Sequence, residues 1–237
     1  KEDRPVNGVS NPWNYYFKEF MPYDSNKLAK CKNVVYSAIK FPHYKAIYYY
    51  HEKERNVLPG KERLQELKNL VDTYFPFTDA LSEKLEKDSA VLSRFNRLLG
   101  IHVRGTDMYT EGKQHPIPTG KTKDFSIIDS LLQKYNLDGI FLCTDTNSTV
   151  ELFKEHYGER VITTSAVRQT DDSKGGIHKD GSLGGGRKFH KYQLGLEVIT
   201  DMYLLSKCNV LLCGPSNVPF TALIYNGGMY DEVIYCV

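Results

Sequence analysis

The sequence predicts an α/β protein built around a parallel sheet, and three observations carry that reading. From residue 98 onward, short apolar runs rich in β-branched residues alternate with segments patterned as helices. The runs are apolar at successive rather than alternate positions, as strands covered on both faces are. Several of them end in polar or glycine residues, where an open parallel sheet holds its ligands.

Taken in order, residues 1–30 are polar and loop-like around NPWNYYFKEF, an aromatic cluster from Trp13 to Phe20. It reads as a helix start packing its rings inward, or as a shelf for stacking a sugar. NVVYSAI (33–39) reads as a strand, and KAIYYYHEKE after it fits helix or strand equally. In 58–75, Leu64, Leu67, Leu70, Val71 and Tyr74 share one helical face. Segment 77–95 repeats the pattern with Leu81, Leu85 and Leu92, capped by Thr78 or Asp79, its Glu and Lys residues forming a solvated face.

The alternation then begins with LLGIHV, a strand ending at 103, followed by a helix over 125–135 and a strand over 139–144. A helix over 148–158, a strand over 160–164, a helix over 193–208 and a strand over 209–213 come next. A helix over 218–226 and a strand over 232–236 complete it. Residues 165–190 form a polar, glycine-rich loop longer than a compact domain usually carries without purpose. It reads as a lid with cationic tips at Arg168, His178, Arg187 and His190, or as a disordered insert. The change in pattern divides the chain into an N-terminal lobe, 1–96, and a sheet domain, 97–237.

Composition narrows the function. A formal charge of +2 gives no case for a nucleic-acid partner, and no apolar run is long enough to span a membrane. The five cysteines lack metal-ligand spacing and lie mostly in apolar runs, which points to a reducing, cytoplasmic setting. The chain starts at Lys1, so an upstream anchor or signal is compatible with it.

Three strand ends carry the candidate chemistry. The first exits through Arg104, Gly105, Thr106 and Asp107, the second through Thr144 and Asp145, and the third through Gly214, Pro215, Ser216 and Asn217. An arginine there suits an anion, because its fixed N–H donors match phosphate, although pairing with Asp107 would also satisfy it. Ser216 precedes a helix, whose first amides cap onto a side chain or onto phosphate. Asp201 lies in a helix otherwise apolar on that side, facing solvent or accepting from a ribose or base N–H. Neither a P-loop nor a dinucleotide fingerprint is present. What remains is a nucleoside diphosphate held by one arginine and a helix N-terminus.

HVRGTD with TEGKQHPI resembles the first motif of the fucosyltransferase superfamily, particularly the core α1,6 pattern HVRRTD…TE…HPI, with spacing shifted by one residue. LCTDT (142–146) and GLEVITDMYLLSKCNVLLCGPSNV (195–218) resemble its later motifs, so the likeness covers roughly 98–226. The resemblance implies a GT-B-like fold with a C-terminal Rossmann-type sheet and a smaller, partly helical N-terminal lobe. It implies an inverting glycosyltransferase moving fucose from GDP-fucose to a glycan acceptor, with no metal or other cofactor. By position it implies Arg104 on the donor β-phosphate, His102 and Asp201 on the base, and Asp145 on the nucleoside. Ser216 and Asn217 fall at the pyrophosphate, and Glu111 activates the acceptor hydroxyl. Gly105 stands where many relatives carry a second arginine, which leaves room for another nucleotide sugar, such as a UDP-sugar.

The residue types fit that chemistry independently. Inversion needs a base, for which Glu111 and Asp107 qualify, and a cationic site for the departing diphosphate. His115 is a further base candidate or a neutral hydrogen-bonding residue. Arg168 and Arg187 are acceptor-side or lid candidates. A non-catalytic nucleotide- or carbohydrate-binding module, and another phosphate-handling enzyme such as a phosphatase or kinase, are the competing classes.

Overall fold

The computed structural model describes residues 4–19, 30, 58–104, 117, 124–170, 186–214 and 216–236. The expected strand over 33–39, the KAIYYYHEKE segment, Asp107, Glu111, His115 and most of the long loop lie outside these residues.

Five strands form one parallel sheet: β1 (Leu98–Val103), β2 (Gly139–Thr144), β3 (Val161–Ile162), β4 (Val210–Cys213) and β5 (Glu232–Tyr235). Their spatial order is β3-β2-β1-β4-β5, with every pairing parallel. Each residue of β1, β2 and β4 is buried, which is why these segments read as unbroken apolar runs.

Two helical layers supply the cover. On one face, α3 (Ser126–Lys134) and α4 (Asn147–Tyr157) bury Ile128, Leu131 and Phe153 against Leu99, Ile101, Val103, Ile140 and Leu142. On the other, α5 (His190–Ser206) and α6 (Asn217–Asn226) bury Leu204, Leu205 and Leu223 against Leu98, Phe141, Cys143, Leu211 and Cys213. Gly100 is what lets α5 settle onto the centre of β1. A Cβ there would lie 3.1 Å from Cys208 and 3.2 Å from Leu205.

The N-terminal helices pack on this second layer. The helix α1 (Lys61–Tyr74) lies on α6, and α2 (Asp79–Ser89) lies on α5 through Leu81, Leu85 and Leu196. Thr78 caps α2, its hydroxyl accepting from Leu81 N at 3.3 Å. The aromatic cluster starts as a single 3-10 turn, Trp13–Tyr15. Tyr16 stacks on Tyr192 and donates to its carbonyl at 2.8 Å, while Phe17 stacks on Phe77. Those rings pack inward as expected, and Trp13 stays exposed.

Three elements differ from the sequence reading. Only Leu64 of the expected α1 face is buried, while Leu70 and Tyr74 are exposed, because α1 rests on α6 near its first two turns. The helix α5 begins at His190 rather than 193, its first turn closed by Gln193 N donating to the carbonyl of Phe189. The strand β3 spans two residues instead of 160–164. After Ile162 the chain leaves β2, and Thr163 and Thr164 turn their hydroxyls to side chains instead of extending the ladder. It returns at Gln169, which donates to the carbonyl of Asp145 at 2.9 Å. That excursion builds one wall of the site.

Candidate active site

Strand order reverses at β1, whose neighbours β2 and β4 are reached by connections running in opposite directions, and ligands of open α/β sheets sit outside the strand ends at such a point. A cleft of ≈ 220 Å³ lies there. It is lined by His102 and Val103 of β1 with Arg104 just beyond it, Cys143 and Thr144 of β2 with Asp145 just beyond it, and Ala166 and Val167 from the excursion after β3. Leu194, Glu197, Val198 and Asp201 of α5 and Val218 of α6 complete it.

Side-chain alternation explains much of this gathering. His102 is paired in register with Cys143. Residues two apart on a strand share a face, so His102 lies on the side of Leu98 and Gly100, against α5. Cys143 likewise belongs to the cluster beneath α5.

Asp201 is the buried charge of the site, 8% exposed. Thr164 donates its hydroxyl to Asp201 Oδ1 at 2.6 Å. Burial raises the Asp201 carboxyl to about 6, against the opposing pull of the Thr164 hydrogen bond and the Arg168 charge. The Cys143 thiol is pushed up by burial and by the Asp201 carboxylate beside it, so it is held as a neutral thiol.

Of the expected donor-side residues, the structure brings His102, Arg104, Asp145 and Asp201 to this one cleft. Ser216 and Asn217 begin α6 two and one residues before Val218, which lines it. Ser216 does not cap α6 through its side chain. Its Oγ is shielded from solvent and makes no hydrogen bond, an orphaned polar atom at a helix N-terminus. Asn217 is exposed in the first turn.

Arg168 and Arg187, the described acceptor-side or lid candidates, are both held by protein groups. Arg168 is 9% exposed and braces the cleft wall from behind. Its Nε donates to the Thr144 carbonyl at 3.1 Å, Nη1 to the Ala166 carbonyl at 2.9 Å and Nη2 to Thr163 Oγ1 at 2.6 Å. Arg187 pairs with Glu197 through both carboxylate oxygens, at 2.5 and 3.2 Å, and donates through Nε to His190 Nδ1 at 2.9 Å.

Sequence reasoning missed Glu197 and Thr164. Glu197 stands four residues before Asp201 and therefore on the same helical face, a spacing that was available as a signal. Nothing in the sequence marks Thr164, whose role depends on β3 ending early. Among the described residues, no group of three or more His, Cys, Asp or Glu is placed to hold a metal ion, and no helix is long and apolar enough to cross a membrane.

The fold and the cleft together define a Rossmann-type parallel sheet with a cleft at its switch point. Solved fucosyltransferases are similar to it. A structure of POFUT1 in complex with GDP aligns with a TM-score of 0.40 and 9% identity over 73% of this chain and 50% of that one. The chain therefore spans about half the length of that protein (50%). NodZ alpha-1,6-fucosyltransferase soaked with GDP-fucose aligns at a TM-score of 0.41 and 13% identity, over 91% of this chain and 75% of that one. A structure of NodZ from Bradyrhizobium gives the same TM-score, 0.41, and the same identity, 13%, over 91% and 76%. No family model and no curated protein sequence matches the chain.

Proposed function

We propose that this chain is an inverting, metal-independent glycosyltransferase that moves a sugar, first among candidates fucose from GDP-fucose, to a hydroxyl of a glycan acceptor. The observation that carries the reading is the convergence of Arg104 with His102, Asp145 and Asp201 around one cleft at the switch point. The roles follow from the motif resemblance, and the chemistry of each side chain suits them. Arg104 takes the donor β-phosphate, where a guanidinium meets developing negative charge. Asp201 accepts N–H groups of the base, with His102 beside it, and Asp145 accepts from the nucleoside. The first amides of α6, with the unpartnered Ser216 hydroxyl and Asn217, face the pyrophosphate.

In the reaction, an acceptor oxygen attacks the anomeric carbon from the face opposite the diphosphate. The new C–O bond forms as the bond to the β-phosphate oxygen breaks, and the electron pair leaves with the nucleoside diphosphate. Glu111 takes the acceptor proton. Its assignment rests on its place in the TE pair of the motif.

A donor screen tests this: GDP-fucose first, then other GDP- and UDP-sugars, each with a panel of glycans in the presence of a chelator, read as released nucleoside diphosphate. Product from one donor, lost in Glu111→Gln while donor binding persists, is the expected result. Donor binding without turnover by the wild-type chain would make it a binding module. Hydrolysis of a phosphate ester with no sugar transfer would place it in the phosphatase class.

A further inference from the structure

Glu197 and Asp201 stand one helical turn apart on the cleft-lining face of α5, so two carboxylates confront a site read as taking an anionic ligand. Asp145, just past β2, adds a third. The groups facing Asp201 from the packed elements are His102 from β1, Cys143 from β2, Arg168 from the excursion and Glu197 on its own helix. Glu197 differs from Asp201 in having a dedicated counter-ion. Arg187 grips it through both oxygens, and the pair is largely shielded, with 25% and 19% of the two side chains exposed. The remaining Nε of Arg187 is taken by His190. All three nitrogens of the guanidinium are thus committed to the protein.

Resting on the nucleotide-binding reading above, we propose that Arg187 is a positioning residue that acts through Glu197. It neutralises that carboxylate at the wall of the cleft and so keeps the nucleoside end receptive to an anionic nucleotide, without touching the donor itself. The pair also ties the residue that leads into α5 to the cleft-lining face of that helix.

Titrating GDP and UDP into wild-type, Arg187→Ala, Glu197→Gln and the double variant separates this role from direct contact. Arg187→Ala is expected to weaken the bound nucleotide about tenfold, through an uncompensated Glu197 charge. The double variant should recover to within about threefold of wild type, because the charge that needed balancing is gone. Arg187→Lys, which keeps the charge but not the two-pronged grip, should fall between wild type and Arg187→Ala. A double variant as weak as Arg187→Ala would show that Arg187 holds the phosphate and would overturn the proposal, as would full affinity in Arg187→Ala. A readout independent of nucleotide follows from the same geometry. In carboxyl-labelled protein followed by NMR, the Asp201 titration midpoint should rise in Arg187→Ala and fall in Glu197→Gln, and an unmoved midpoint in both would overturn it. Wild-type chain that binds no nucleoside diphosphate would overturn the reading of the site and this proposal together, whereas wild-type binding without rescue would overturn the proposal alone.

Discussion

Thr164 Oγ1 donates to Asp201 Oδ1 at 2.6 Å, joining the chain that leaves β3 to α5. The bond goes with the early end of β3, after two residues, which leaves Thr164 off the sheet ladder. It partly offsets the burial of Asp201 but does not abolish it, and the carboxyl stays raised to about 6 from an ordinary 3.8.

Asp201 is therefore expected to lower stability at neutral pH. Its folded-state value exceeds the unfolded one, so the folded chain holds the proton more tightly. Stability from this group is complete below the unfolded value of 3.8 and is lost as pH rises through about 6. Asp201→Asn keeps an oxygen for Thr164 and removes the buried charge. At about pH 7.5 it should gain about 1–3 kcal/mol in urea unfolding, a gain that vanishes near about pH 4. A variant less stable than wild type at the higher pH would contradict this account.

A residue kept charged at a cost to stability should reveal its use in binding. GDP affinity of the wild-type chain should fall about three- to tenfold as pH drops from about 7.5 to about 5, because protonated Asp201 loses its charge-assisted hydrogen bonds. The phosphate's own titration is common to all variants. Calorimetry on Asp201→Asn, which should bind weakly with a shallower pH dependence, isolates the side chain. Identical pH profiles in the two proteins would remove Asp201 from the base-recognition role.

Arg168 is a structural brace in this fold. Arg168→Met strips donors from the Thr144 and Ala166 carbonyls and from the Thr163 hydroxyl, and should cost about 2–4 kcal/mol in denaturant unfolding. Arg168→Lys should recover less than half, since one ammonium does not span three acceptors set in a fork. If Arg168→Met unfolds at the wild-type midpoint and loses only transfer to acceptor, the residue belongs to the acceptor side after all.

The central sheet was legible because its strands are buried on both faces, and burial of that kind demands unbroken apolar runs such as LLGIHV and GIFLCT. The strand ends were legible too, since Arg104 and Asp145 interrupt those runs abruptly. Arg168 misled for a physical reason. It sits in polar sequence that looks like an exposed loop, yet its burial depends on carbonyls of Thr144 and Ala166 that only the tertiary fold aims at it. The length of β3 was hidden similarly, because RVITT has strand propensity throughout and its last residues are drawn away by Arg168 and Asp201. Leu70 and Tyr74 followed helical periodicity faithfully, but periodicity does not say how far along a helix its neighbour extends.

On the proposed function, Arg104 holds the diphosphate of a nucleotide at the switch point of the sheet. Calorimetric titration of GDP, in chelator, into the wild-type chain and Arg104→Ala measures that contact. Measurable wild-type binding and a loss of about 10- to 100-fold in Arg104→Ala, the size of one charge-assisted contact, are expected. Equal affinity in the two proteins, or no binding of any nucleoside diphosphate by the wild-type chain, would contradict it.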